Sequence, residues 1–155
     1  MKKSTYHCEI ILKLNSKLFL NALAGVSEEQ AKERISDHNN SLLWIATHTT
    51  WARYNMVGLL GKQVTNPYVG PNDTSMKLPS LESVKEEWEK ATELLNDALA
   101  SVTEEHLKTD APFKSPIGDF SMGGTIAFLA QHESYDIGQM GFLKKFLTKE
   151  AMSYK

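Results

Sequence analysis

The sequence predicts an all-α protein, a four-helix bundle with a long connection between helices two and three. Three observations carry that expectation. Four segments repeat apolar residues at spacings of three and four, and none sustains the alternation of a strand. Between the second and third of them, residues 62–79 hold Gly70 together with Pro67, Pro71 and Pro79, which cannot form a helix interior. The chain has 155 residues, so residues 1–155 are expected to form one domain that can bury a core without staples.

Each helix has its own justification. The first is expected from Thr5 to Gly25, with Ser4 as its N-cap and Gly25 as its stop. Its apolar stripe is Ile11, Leu14, Leu18 and Ala22. Ser27-Glu28-Glu29-Gln30 then has the capping-box pattern and opens a short helical turn. The second long helix runs from Asn40 to Leu60, with Ile45, His48, Ala52, Met56 and Leu59 along one face and Gly61 at its end. The connection that follows is longer than most in compact domains, and either crosses the end of the bundle or forms a lid. The third helix runs from Ser80, its cap, to Ser101, on a stripe of Val84, Trp88, Ala91, Leu95 and Leu99. The fourth runs from Gly124 to Leu147, with Gly123-Gly124 as its start. Thr125, Leu129, His132, Asp136, Gln139, Leu143 and Phe146 follow its inward spacing. An internal echo supports this division: Val26-Ser27-Glu28-Glu29 precedes helix two as Val102-Thr103-Glu104-Glu105 precedes helix four. His48 then corresponds to His132, and the chain reads as two related helical hairpins.

Charge and composition exclude some function classes. A net charge of −2 and a pI near 6.2 lack the basic footprint of a nucleic-acid binder. Cys8 is alone, so no intrachain disulfide and no oxidising compartment are implied. The opening Met1-Lys2-Lys3 resembles a signal-peptide start, but Lys13, Asn15, Ser16 and Lys17 soon break the apolar run. No stretch approaches the length of a membrane span. A cytoplasmic protein is the expectation.

The polar residues on the inward stripes carry the candidate chemistry. His132 and Asp136 are four apart and share a helix face. With His48 they make two imidazoles and a carboxylate, a known donor set for zinc, iron or manganese. Facing helices of a bundle commonly build such sites, and three protein ligands leave a position open for water or substrate. The plain alternative is that His132 and Asp136 form an ion pair and that His48 is a core histidine. Gln139 or Glu133 is placed to orient a ligand or water from behind. His7, Cys8, His38 and His106 read as surface or loop residues, and Trp44, Trp51 and Trp88 as core or interface.

Two strings resemble the DinB/YfiT-like superfamily of metal-dependent enzymes. Ser41-Leu42-Leu43-Trp44-Ile45-Ala46-Thr47-His48 is similar to its helix-two motif ending in a ligand histidine. Leu129-Ala130-Gln131-His132-Glu133-Ser134-Tyr135-Asp136-Ile137-Gly138-Gln139 is similar to its helix-four motif, where two histidines four apart precede Gly-Gln. The resemblance covers essentially the whole chain. It implies a bundle with a long crossing connection and a divalent metal (zinc, nickel, iron or manganese) between helices two and four. It also implies a small-molecule substrate, with a low-molecular-weight thiol as one class, and a homodimer. It implies neither nucleic acid nor membrane as partner. The reaction it suggests is a thiol-dependent transfer or a hydrolysis. Asp136 stands where the family has its third histidine. Either the site persists as two histidines and a carboxylate, or a non-catalytic binding or scaffold protein remains on the same bundle.

Overall fold

The computed structural model describes residues 3–70 and 77–155. Its elements are α1 (Tyr6–Leu23), α2 (Glu28–Lys32), α3 (Leu42–Leu59), α4 (Leu81–Ser101), α5 (Glu104–Leu107) and α6 (Met122–Thr148). The four long helices are those expected. No strand occurs among the described residues, only an isolated bridge between Asp110 and Ser121. No helix of the described chain is long and apolar enough to cross a membrane.

Side-chain caps set most of the helix starts. Ser41, Ser80, Thr103 and Ser121 each accept a bond from the backbone N–H three residues on. Ser27 and Gln30 complete the capping box. The echo between the two halves is therefore structural: Ser27 and Thr103 start short helices, and Ser41 and Ser121 start long ones. Gly25 and Gly61 follow the ends of α1 and α3 with φ of 74° and 90°. Two expected starts shift. Thr5 rather than Ser4 is the N-cap of α1, without a side-chain cap bond, and the Ser4 backbone N–H is donated to Glu104 at the head of α5. The last helix begins at Met122, since Ser121 supplies the cap. Gly124 sits inside that first turn because a Cβ there would collide with Asp119.

Contacts order the bundle cyclically as α1, α6, α3, α4. Asn15 reaches Glu133, and Lys144 reaches the Asn21 carbonyl, so α1 and α6 run parallel. Arg53 meets Glu133 while Thr49 meets Asp136, so α3 and α6 are antiparallel. Leu42 and Leu43 cluster with Val84 and Trp88, and Met56 and Leu60 with Leu95 and Leu99, which is the sense of a parallel α3/α4 pair. That pairing accounts for the long connection. The 18-residue α3 is about 27 Å long, so the chain must return that distance before α4 begins beside it. The long connection between the second and third long helices is as expected, but it spans the length of the bundle rather than crossing one end. Residues 71–76 of the connection, with Pro71, Asn72 and Asp73, lie outside the described residues, and so does part of the suggested lid.

Two buried clusters fill the interior. One gathers Phe19, Leu42, Leu43, Val84, Trp88, Ile137 and Met140. The other gathers Leu12, Met56, Leu95, Leu99 and Ile126. The α4 stripe is buried at all five expected positions. The α1 stripe is corrected: Ile11 and Leu14 are exposed, and Leu12, Asn15, Leu18, Phe19, Ala22 and Leu23 face inward. Asn15 holds an apolar-looking position because Glu133 and Ser134 of α6 bond its amide. Phe146 is likewise exposed rather than inward.

Candidate metal centre

The helix seam between α3 and α6 brings His48, His132 and Asp136 together. One ligand atom from each lies within 4.8 Å of the others. His48 Nε2 is 3.9 Å from Asp136 Oδ2, and His132 Nε2 is 3.6 Å from the same oxygen. Bonds of about 2.1 Å at a tetrahedral angle place donor atoms roughly 3.4 Å apart. The three side chains therefore fit a small divalent ion with little adjustment. His48 Nδ1 is also buried with no hydrogen-bond partner in the protein. A histidine left so is unusual, because buried polar atoms ordinarily find a partner.

The cluster lies at the rim of the seam, not at the middle of the buried stripe. Asp136 is buried, while His48 and His132 are half-buried. The deep face of α3 is taken instead by Ala46, Thr50, Arg53 and Val57. The ion would thus touch the protein on one side and be reachable from the other.

Electrostatics agree with that position. Burial pushes the Asp136 carboxyl up to about 6, against the pull of His132 and of a bond from Thr49 Oγ1 at 3.4 Å. Burial lowers His48, and the neighbouring His132 lowers it further. Both shifts disfavour charge in a site that has no cation of its own. A divalent ion reverses that balance, because its charge favours the carboxylate and the neutral imidazole.

Aromatic rings hold both imidazoles. Trp44 and Trp51 stack on His48 at ring-centroid distances of 5.2 and 5.5 Å. Phe128 and Tyr135 stack near His132 at 5.9 and 6.5 Å. The two imidazoles stand perpendicular, 5.8 Å apart. In each helix the bracket is an aromatic four residues before the histidine and another three after it. That repeat is visible in the sequence as Trp44…His48…Trp51 and Phe128…His132…Tyr135. It was the signal that periodicity of apolar residues alone does not single out. Trp44 and Trp51 are accordingly part of the site surroundings rather than plain core, whereas Trp88 is core and fully buried.

Other expected roles fall elsewhere. Glu133 points away from the cluster and pairs with buried Arg53 at 2.6 Å. Gln139 is half-buried and lines a neighbouring groove with Tyr135. His106 is not a free loop residue: it sits in α5, and its Nε2 is 2.8 Å from the Leu59 carbonyl oxygen. His7 and His38 are exposed. Cys8 is half-buried, and burial pushes its thiol up, away from the reactive thiolate. The described part of the long connection packs beside the site: Asn66 bonds the Trp51 carbonyl, and a Cβ on Gly70 would lie 3.2 Å from the Trp51 ring.

A family model described as the DinB superfamily matches residues 11–140. A crystal structure of a conserved protein from Enterococcus faecalis is similar in fold, with a TM-score of 0.75 and 13% sequence identity. That likeness covers 97% of this chain and 100% of the other. No curated protein matches the sequence.

Proposed function

The chain belongs to the DinB superfamily, and from that premise we propose that it is a metal-dependent enzyme acting on a small molecule. The observation that supports the reading is the convergence of His48, His132 and Asp136 from two helices onto one ion-sized space. A bound divalent ion would supply Lewis acidity, lowering the pKa of a water or a thiol at neutral pH. The rest falls to the protein. The two imidazoles and the carboxylate hold the ion, and Thr49, whose hydroxyl donates to the Ile45 carbonyl at 2.7 Å, lies 3.4 Å from Asp136. The aromatic brackets fix the imidazole planes and keep water from their faces. The reaction classes that suit this arrangement are thiol-dependent transfer and hydrolysis, with a low-molecular-weight thiol as co-substrate in the first.

Metal analysis of protein purified without chelator tests the proposal directly. Near-stoichiometric zinc, nickel, iron or manganese is expected, with a rise in thermal midpoint on adding that ion to stripped protein. Absence of both would end the enzyme reading. The rival is a non-catalytic scaffold, and Asp136 in the place of a family histidine is the feature that favours it. On that reading wild-type protein is metal-free, and Asp136→His creates tight binding.

We also place the protein in the cytoplasm as a homodimer. The exposed apolar strip of Ile10, Ile11 and Leu14 on α1 supports self-association. Light scattering should give a dimer mass for the wild type and a monomer for Ile11→Lys with Leu14→Lys. A wild-type monomer at high micromolar concentration would dismiss the dimer.

A further inference from the structure

Two grooves flank the candidate centre along α3, one on either side of His48, each walled by a ring that stacks on one of the imidazoles. One, of about 480 Å³, lies beside the C-terminal half of α3 and is lined by Trp51, Tyr54, Asn55, Asn66 and Phe113 among others. The second, of about 440 Å³, lies beside the N-terminal end of α3 and is lined by Asn40, Ile45, Tyr135, Gln139 and Phe142 among others. Each groove shares a bracket ring with the centre: Trp51 lies against His48, and Tyr135 against His132.

Their linings have a common chemistry. Lysine, arginine, aspartate and glutamate are absent from both. Charged residues make up 23% of the chain and lie mostly at protein surfaces, so two open grooves without any are notable. Two further grooves among the described residues are different. One beside Cys8 carries Glu104, Lys108 and Asp119, and one beside Trp88 carries Lys17, Glu89 and Glu93. The buried cation nearest the centre, Arg53, has Glu133 as its own counter-ion.

We propose that the centre takes a small molecule with one anionic donor group for the ion and an uncharged, aromatic-bearing body that lies in these grooves. This rests on the metal reading above. A divalent ion with one carboxylate and two neutral imidazoles leaves one net positive charge, which suits a single anionic donor such as a thiolate. The groove walls offer ring faces and the amides of Asn55, Asn66 and Gln139. They offer no cation to pair with a carboxylate, and burying a charge there without a counter-charge is unfavourable. The rings of Trp51 and Tyr135 favour stacking against a planar group.

The test is calorimetric titration of zinc-loaded protein with two thiols, 2-phenylethanethiol and glutathione, the second of which carries carboxylates. The aromatic thiol is expected to bind at least about tenfold more tightly, since an unpaired charge on its rival meets no counter-charge. Asn55→Lys, at an exposed position, and Gln139→Lys should each shift the preference at least fivefold towards glutathione, an order-of-magnitude expectation for one added counter-charge. Equal or tighter binding of glutathione by the wild type would overturn the inference. So would an unchanged preference in both lysine variants. A chain that takes up zinc but prefers glutathione loses this inference alone, whereas a chain that takes up no zinc loses the metal reading and this one with it.

Discussion

Arg53 and Glu133 lie one helical turn from Thr49 and Asp136 on the same two helices, yet the two polar clusters are built in opposite ways. Arg53 is fully buried and every N–H of its guanidinium has an acceptor. Its Nε and Nη2 donate to Glu133, Nη1 to Ser16 and Thr92, and Nη2 also to the Leu12 carbonyl. Its plane lies 3.6 Å from the centroid of Trp88, whose other face stacks on Phe19. Asn15 completes Glu133. The network draws on α1, α3, α4 and α6 and leaves nothing for a ligand to satisfy. The His48, His132 and Asp136 cluster draws on two helices, keeps both imidazole Nε2 atoms 3.6–3.9 Å from the carboxylate, and has only a long 3.4 Å contact from Thr49 to that carboxylate. A complete network fixes the packing of the bundle. An incomplete one at the rim is what an ion or substrate can complete.

The sharpest way to break that contrast is to remove one partner from each cluster. Arg53→Met leaves Glu133 buried without its counter-ion and should cost about 3–5 kcal/mol in urea denaturation. Much of that loss should return in the double variant Arg53→Met, Glu133→Leu, because the charge is gone from both sides. A single-variant loss under about 1 kcal/mol would show that the network does not anchor the bundle. In the other cluster Asp136→Asn is expected to leave the metal-stripped fold intact. It should weaken zinc by at least about 100-fold, more than the usual effect of altering a residue behind the ligands. Unchanged zinc affinity would remove Asp136 from the ligand set.

A smaller effect is the pH dependence of the stripped protein. The folded state holds the Asp136 proton up to about 6, above its ordinary value of 3.8. Between those two values the folded state binds more protons than the unfolded one, so this group makes stability fall as pH rises. His48 acts the other way: its lowered value makes stability rise with pH up to the ordinary histidine value of 6.5. Denaturation in chelator from pH 4 to 7 should show the Asp136 slope in the wild type and lose it in Asp136→Asn. Identical profiles would contradict the raised carboxyl. Smallest of all, Trp51→Leu removes one ring from the His48 bracket. It should weaken zinc about tenfold with little loss of fold stability, as changes behind a ligand do, and a zinc titration checks it.

Much of this was legible in the residues. The four long helices follow from spacings of three and four, and several of their ends from Ser80, Gly25 and Gly61, whose effects are local. The pairing of His48 with His132 and Asp136 was legible too, from inward spacing and from the resemblance. The register of α1 was not. Ile11 and Leu14 match a helical stripe as well as Leu12 and Phe19 do, and the choice fell to the face on which Asn15 meets Glu133. Glu133 looked available to the metal site for the same reason: nothing near it in sequence shows Arg53, which comes from 80 positions away.

The sequence by itself determined the helices, several of their ends, the long connection between α3 and α4, and the three candidate donor residues, because each depends on short-range geometry or on residue chemistry. The tertiary structure alone decided which polar residues close on one another deep in the core and which stay open at the rim. That choice depends on how the four helices are rotated against each other. Rotation is set by burial and by long-range hydrogen bonds, which a single helical stripe does not encode.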